Sequence, residues 1–151
     1  MPPRISQDTY KQLAPAVYEA VIAFDDVAGR GVLEDTLLEL SKLRASQLNG
    51  CAYCCQYHTR ILLEAGVSPD KISLVPAWAE TDAFTPREQA AIGWAEDLTL
   101  LAETHASEAA WSRVSQHFSD GEVAHLTAAI AAINVWNRFA VALRFDPPYP
   151  I

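Results

Sequence analysis

The sequence LLELSKLRASQLNGCAYCCQYHTRILLEAG, residues 37–66, contains two predicted helices and the turn that joins them. Apolar residues recur at helical spacing on both sides of the turn. Asn49 and Gly50 end the first of these helices, because both residues tolerate the left-handed backbone of a helix C-cap. The second helix begins at the cysteines and ends at Gly66. All the cysteines of the chain therefore lie in the first turns of the second helix.

Helical spacing of apolar residues extends over nearly all of the remaining sequence, and strand signals are missing. Capping-box spacing marks two helix starts, at Thr85 with Glu88 and at Ser119 with Glu122. The expected helices cover about 14–28, 33–48 and 51–65, a short segment from Ser68, segments from Thr85 and Ser107, and a long Ala-rich one from Ser119 to before Pro147. We therefore predict one all-α domain over residues 1–151, with about seven helices and short connections.

The composition argues against several classes of partner. The 151 residues include 19 acidic and 11 basic side chains, which gives a net charge of −8. Such a surface repels phosphate backbones and anionic lipids, so we expect no nucleic acid and no membrane as a partner. The N-terminus lacks the apolar core of a signal peptide, and no apolar run is expected to reach the length of a bilayer span. A cytoplasmic, reducing location is therefore expected.

The spacing of Cys51, Cys54 and His58 places their side chains on one face of the second helix. At about 100° per residue, the three side chains fall within roughly 60° of arc. Residues three apart have Cα atoms about 5 Å apart, a distance that a disulfide tolerates, so the two cysteines can form and break a bond with little backbone movement. His58 lies one turn beyond Cys54 and can reach its sulfur directly.

A local base is needed if one of these thiols is to be anionic at neutral pH. Lowering a thiol pKa from about 8.5 to about 6 corresponds to about 3.4 kcal/mol, of which a helix N-terminus supplies at most about 2 kcal/mol. His58 is the candidate for the remainder. A histidine usually needs a partner that fixes its tautomer, and Glu39 lies on the preceding helix. If the two helices pack antiparallel, Glu39 could face His58 and form a Glu–His–Cys relay.

Together these residues resemble the core signature of the AhpD-like alkylhydroperoxidases, which belong to the carboxymuconolactone decarboxylase superfamily. The match covers the spacing from the glutamate to the first cysteine, the CxxC itself, and the histidine four residues after the second cysteine. Two later stretches, FTPREQAAIGWAEDLT and INVWNRFAVAL, also resemble C-terminal helices of that family. The residues of the signature are Glu39, Ser46, Asn49, Gly50, Cys51, Cys54, His58, Ala65 and Gly66.

The resemblance implies an all-helical fold that assembles as trimers or hexamers and reduces hydroperoxides through a cysteine pair. By position, Cys54 is expected to be the peroxidatic cysteine, which becomes a sulfenic acid, and Cys51 the resolving cysteine. Glu39 and His58 are expected to form the proton relay. An external dithiol or disulfide reductase would restore the pair, so the cycle needs no bound metal, flavin or other cofactor.

Two residues depart from the family pattern. Tyr53 precedes the second cysteine, where some members carry a histidine that joins the relay, which allows a weaker or different proton path. Cys55 adds a third thiol, which could be buried packing or a competing disulfide partner.

Other interpretations of the cysteine motif remain open at this point. The thiols could fill a helix–helix seam or bind zinc, although no second CxxC or HxxxH supplies further metal ligands. The chain could also be a lyase of the decarboxylase branch that acts on a lactone-like carboxylate. A third alternative is a non-enzymatic helical module whose thiols sense oxidation.

Polar and aromatic residues outside the motif are expected to be structural. We expect surface or capping positions for the other histidines, and core or subunit-interface positions for the tryptophans, any of which could also line a pocket. Three polar residues of the last helix are expected to pair with one another, a neighbouring helix or another subunit. These sets are His105, His117 and His125; Trp78, Trp94, Trp111 and Trp136; and Asn134, Asn137 and Arg138. The Ala-rich helix and the abundant tryptophan favour a homo-oligomer.

Overall fold

The computed structural model describes residues 2–150, and over that range it is all-helical, with no strand. The described residues form nine α-helices and one 3-10 helix. The α-helices are α1 Gln7–Leu13, α2 Pro15–Ala28, α3 Asp35–Leu48, α4 Ala52–Glu64, α5 Pro69–Ser73, α6 Pro86–Thr99, α7 Leu101–Thr104, α8 Glu108–His117 and α9 Asp120–Leu143, and the 3-10 helix covers Val75–Glu80. The predicted fold class is therefore confirmed.

The structure contains three short elements beyond the seven expected helices, namely α1, the 3-10 helix and α7. Each of them is shorter than the window over which apolar spacing identifies a helix. The longer helices α2, α3 and α4 begin and end within two residues of the expected limits. Apolar periodicity thus located the helices that build the core and missed the short connecting ones.

The turn between α3 and α4 determines where the cysteines lie. Gly50 adopts a left-handed backbone with φ of 64°, and its N–H donates to the carbonyl oxygen of Gln47 at 3.1 Å. The next N–H, that of Cys51, donates to the carbonyl oxygen of Ser46 at 2.9 Å. These two bonds close the end of α3 as in a Schellman motif. Cys51 is consequently the N-cap residue of α4, which runs back along α3.

Helix α3 lies at the centre of the fold, in contact with α4, α6 and α9. Leu37 and Leu38 pack into one hydrophobic cluster with residues of α6, α8 and α9. Leu40 and Leu43 pack into a second cluster with residues of α4 and the 3-10 helix. Ala45 belongs to a third cluster, which contains Cys51, Cys54 and apolar residues of α9. The cysteine pair is therefore built into the apolar core.

Helix α9 is long and apolar because it is a core helix. Its most apolar 18-residue window has a mean hydropathy of 1.4, enough in length and composition to cross a bilayer, so the expectation that no apolar run reaches that length is wrong. In the structure α9 packs against α2, α3 and α6. Its buried side chains include Val123, Leu126, Ile130 and Ile133, at spacings of three and four residues. Burial between helices accounts for the composition.

Helix α2 differs from the core helices because most of its apolar side chains are exposed. Among its residues only Ala28 is fully buried. Val17 and Val27 are 50% and 67% exposed, and Leu13 at the end of α1 is 69% exposed. The opposite side of α2 packs against α9. This helix therefore carries an apolar face with no partner within residues 2–150.

The tryptophans occupy three kinds of position. Trp78 and Trp94 are buried, and their indole N–H groups are hydrogen-bonded, so the expected core positions are confirmed for these two. Trp111 is 44% exposed, and its ring packs edge-on against Trp94 with centroids 6.0 Å apart. Trp136 is half-buried on α9 and lines the cavity described below.

Candidate active site

The α3–α4 hairpin brings Glu39 against His58. Nδ1 of His58 lies 2.6 Å from Oε2 of Glu39, and the two side chains are only 6% and 15% exposed. When Nδ1–H donates to the carboxylate, the imidazole is held in one orientation and one tautomer, with Nε2 free to accept a proton. On the other side of Glu39, Nζ of Lys42 lies 4.0 Å from Oε1. The proximity expected from helical spacing is therefore present.

Cys51 and Cys54 are free thiols, and they are 1% and 4% exposed. The backbone N–H of Cys54 donates to Sγ of Cys51 at 3.3 Å, so a sulfur caps the first turn of α4. Within residues 2–150, no hydrogen bond joins His58 to either sulfur.

The pKa values of the two thiols depend on each other. The side-chain hydrogen bond from Cys54 lowers the pKa of Cys51 to about 7, and the backbone N–H of Cys54 and the amide of Asn137 act in the same direction, against burial. The same hydrogen bond, donated by Cys54, raises the pKa of Cys54, and burial raises it further. The directions of the two shifts favour the thiolate at Cys51, which occupies the N-cap position of α4.

A cavity of about 380 Å³ lies beside the cysteine pair. Cys54 and His58 line this cavity, whereas Cys51 does not. Its walls come from α1 to α4, α9 and the segment after α9, and its aromatic side chains are those of Tyr18, Tyr53, Tyr57, Trp136 and Phe145. A molecule in the cavity therefore meets the sulfur of Cys54 and is separated from that of Cys51.

Tyr53 belongs to the aromatic wall of the cavity and anchors α1 to it. Its hydroxyl donates to the side-chain oxygen of Gln7 at 3.2 Å, and the amide nitrogen of Gln7 donates to the hydroxyl of Tyr18 at 3.4 Å. The ring stacks on that of Tyr57, with centroids 6.3 Å apart and an interplanar angle of 20°. Burial raises the pKa of Tyr53. This hydroxyl is engaged with Gln7 and is not hydrogen-bonded to His58.

Cys55 lies on a different side of α4. It is half-buried against the second hydrophobic cluster, which contains Leu40, Leu43 and Leu62. Burial is the largest cause that raises the pKa of Cys55, to about 11. The residue does not line the cavity. These observations favour packing over a competing disulfide.

Asn137 contributes to the site, although its position in the sequence suggested only a pairing role. It is 1% exposed; its amide nitrogen donates to Oγ of Ser46 at 3.1 Å, and its oxygen accepts from the amide of Asn49 at 2.8 Å. Ile133 and Ala140, four residues before and three after it on α9, pack against the cysteines. The amide also lowers the pKa of both thiols. The signal in the sequence was that Asn137 is a polar residue within the otherwise apolar helix α9.

The remaining histidines lie outside the site. Nδ1 of His125 is 2.6 Å from the carbonyl oxygen of Ala28 at the end of α2, a capping interaction. His105 has a left-handed backbone at the C-cap of α7, and His117 is the last residue of α8. Within residues 2–150, no group of three or more His, Cys, Asp or Glu side chains is arranged to hold a metal ion.

Comparison with protein families identifies the fold and its motif. The model of the carboxymuconolactone decarboxylase family matches residues 15–97, which hold α2 to α5, most of α6 and the whole cysteine motif. The chain belongs to the carboxymuconolactone decarboxylase family. The uncharacterized family relative YdfG of Bacillus subtilis is 31% identical over 135 residues, which cover 89% of this chain and 92% of YdfG.

Solved structures place the chain among the AhpD-like members of the family. A crystal structure from Agrobacterium tumefaciens, of a protein of unknown function described as a candidate antioxidant defence protein AhpD, has a TM-score of 0.92 and 38% identity; the match covers 99% of this chain and 100% of that one. The debrominase Bmp8 shares the fold, with a TM-score of 0.71 and 18% identity over 90% of this chain and 69% of its own. One fold thus serves several reactions, so the reaction must be argued from the site.

Proposed function

We propose that this family member reduces organic hydroperoxides through Cys54 and Cys51, with His58 and Glu39 handling the proton. The observation that carries the proposal is the position of Cys54, which lines the cavity together with His58 and whose backbone N–H donates to the sulfur of a second free cysteine. A cysteine pair that served only packing would need neither a cavity nor an imidazole held by a carboxylate.

The first step would transfer oxygen to Cys54. One proton of the thiol pair passes through water to Nε2 of His58, and Glu39 stabilises the imidazolium that forms. The remaining shared proton moves along the hydrogen bond from Cys54 to Cys51, which leaves the thiolate on the cavity side. This thiolate attacks the hydroperoxide, the O–O bond breaks, and the alkoxide takes the proton of His58. Thiol and hydroperoxide thereby become sulfenic acid and alcohol.

The second step would form the disulfide. The thiolate of Cys51 attacks the sulfur of Cys54, the S–O bond breaks, and hydroxide leaves as water with the proton that Cys51 gave up. The backbone N–H of Cys54, which donates to Sγ of Cys51, would favour the thiolate of Cys51 in this step. The contact between the two residues keeps the sulfurs close enough to react with little backbone movement.

An external dithiol would then reduce the disulfide and release the oxidised donor. A dithiol or disulfide-reductase donor fits a reducing compartment, and we place the protein in the cytoplasm on that basis. The cycle uses side chains of this chain alone and needs no bound cofactor.

The test compares three matched Cys→Ser variants in a peroxide-consumption assay with cumene hydroperoxide and dithiothreitol. Cys54→Ser should abolish turnover. In the absence of dithiothreitol, which would itself reduce a sulfenic acid, Cys51→Ser should consume one equivalent of peroxide and stop at the sulfenic acid of Cys54. Cys55→Ser should stay within about twofold of the wild type, because that thiol lies outside the cavity. Undiminished turnover by Cys54→Ser would rule the proposal out. A wild type that oxidises once and consumes no more peroxide with dithiol present would be a sensor and not an enzyme.

A further inference from the structure

The charged groups of the cavity are already paired with one another. Nζ of Lys42 lies 2.9 Å from Oδ1 of Asp25 and 4.0 Å from Oε1 of Glu39. At the rim, the guanidinium of Arg30 lies 3.1 Å from Oδ1 of Asp26. Three carboxylates thus face two cations, and His58 is the remaining partner of Glu39. No cation of the cavity, among the described residues, is left to receive the carboxylate of a ligand.

Apart from Gln7 and Cys54, the rest of the wall is aromatic or aliphatic. The rings of Tyr18 and Trp136 meet edge to face with centroids 5.3 Å apart, and Tyr57 meets His58 in the same way at 5.3 Å. Ile61 and Ile133 belong to the apolar lining, and Ile133 packs with Cys54 in one hydrophobic cluster. The edges and faces of these aromatic side chains favour a ligand that itself carries an aromatic ring. The volume of about 380 Å³ is within the range of small-molecule sites.

We infer that the cavity selects uncharged hydroperoxides that carry an aromatic ring and discriminates against those that carry a carboxylate. The inference rests on the proposed function only in taking the ligand to be a hydroperoxide. The selection by charge and by aromatic ring concerns binding and does not depend on turnover. A bound carboxylate would have to separate Lys42 from Asp25 or remain without a counter-charge in a cavity that already has one excess negative charge. An uncharged aromatic molecule meets neither cost. Each carboxylate of the cavity already has a partner, Asp25 in Lys42, Asp26 in Arg30 and Glu39 in His58, so a cationic ligand would have to displace one of them.

The binding test uses unreactive analogues, so it needs no turnover. NMR titration of the reduced wild-type protein would give the affinities of 2-phenyl-2-propanol, 4-isopropylbenzoate, 4-isopropylbenzylamine and tert-butanol. We expect 2-phenyl-2-propanol to bind at least about tenfold more tightly than each of the other three. Equal or tighter binding of the benzoate or the amine would overturn the selection by charge. Equal binding of tert-butanol would overturn the selection for a ring.

A charge-releasing variant tests the cause of the selection. Asp25→Asn removes the 2.9 Å partner of Lys42 and leaves it only the 4.0 Å contact with Glu39, so it should strengthen binding of 4-isopropylbenzoate by at least about tenfold and change that of 2-phenyl-2-propanol by less than about twofold. The matched control is Asp8→Asn, which removes an equivalent charge from the Asp8–Lys11 pair outside the cavity and should change neither affinity. No gain in benzoate binding by Asp25→Asn would contradict the inference. If the binding pattern holds but Cys54→Ser keeps full peroxide turnover, only the proposed function fails.

Discussion

Nδ1 of His58 lies 2.6 Å from Oε2 of Glu39, on facing sides of two helices that are joined by a single turn. The turn that sets the register of this contact, at Gly50, also places Cys51 at the N-cap of α4. The imidazole, the carboxylate and the sulfur pair are therefore parts of one helical hairpin. A change in the register of the hairpin would displace all of them together.

Removal of the imidazole should slow the first chemical step and leave the fold intact. We expect His58→Gln to lower the single-turnover rate of Cys54 oxidation by about 10²-fold or more, the usual contribution of a positioned acid–base group. Glu39→Gln should give a smaller loss, because it leaves the imidazole in place with a weaker partner. Stopped-flow measurement of the oxidation rate checks this. His125→Gln, outside the cavity, is the control, and an equal loss in that variant would point to a general structural effect.

Titration of the reduced protein should reveal one thiolate near neutral pH. Thiolate absorbance at 240 nm should rise with a midpoint near 7, because the hydrogen bond from Cys54 lowers the pKa of Cys51. Cys54→Ala removes that donor and should move the midpoint upward. Cys55→Ala should leave it unchanged, because Cys55 has a pKa of about 11. A midpoint that does not respond to Cys54→Ala would refute the coupling between the two sulfurs.

The packing role of Cys55 predicts a stability change at high pH. Its pKa is raised from about 8.5 in an unfolded chain to about 11 in the fold. Its contribution is therefore fully present below pH 8.5 and is lost as pH rises through 11. Between these values, the free energy of unfolding of the wild type should fall relative to that of Cys55→Ala by about 2 kcal/mol, allowing for partial exposure. Parallel denaturation curves across this window would argue against burial of the thiol.

The buried amide of Asn137 should affect thiol chemistry as well as stability. Asn137→Leu removes one buried hydrogen bond from each of Ser46 and Asn49, so the free energy of unfolding should fall by about 1–3 kcal/mol. The 240 nm midpoint should rise, because the amide lowers the pKa of Cys51. Asn134→Leu is the matched control, since Asn134 also bonds Asn49 but does not act on Cys51. We expect it to lose stability with an unchanged thiol titration; an equal shift in both variants would mean a nonspecific effect.

Assembly into trimers or hexamers is a proposal that the exposed side of α2 supports. Val17 and Val27 are both at least half exposed on an apolar helix, a surface typical of a subunit contact. Light scattering should therefore show an oligomer, and Val17→Glu together with Val27→Glu should lower its mass. Ser115→Glu, at an exposed position of α8, is the control for an added charge elsewhere. A monomeric wild type would contradict the proposal.

Much of the hairpin could be predicted because it depends on local rules. Helical spacing put Glu39 and His58 on facing surfaces, and the glycine at position 50 fixed the end of α3. The distribution of charge within the cysteine pair could not be predicted. It depends on which sulfur accepts the hydrogen bonds of the first turn, and the structure shows that this is Cys51.

The cavity could not be predicted from the sequence because elements that are far apart in the chain form its walls. Tyr18 on α2, Trp136 on α9 and Phe145 beyond α9 meet the cysteine hairpin only through tertiary packing. The pairing of Lys42 with Asp25, which removes the free cation, likewise joins α3 to α2. The periodic pattern of apolar residues does not indicate contacts between helices that are distant in the chain. Helix spacing therefore predicted the reactive groups but not the site that surrounds them.

The most direct test is to trap and locate the first oxidation product. Cys51→Ser protein would be treated with one equivalent of cumene hydroperoxide and dimedone, digested, and analysed by mass spectrometry. We expect the dimedone adduct on Cys54, and in the wild type a Cys51–Cys54 disulfide in its place, because Cys54 is the thiol that faces the cavity. An adduct on Cys55 with Cys54 unmodified, or no adduct at all, would contradict the assignment of Cys54 as the peroxide-reducing cysteine.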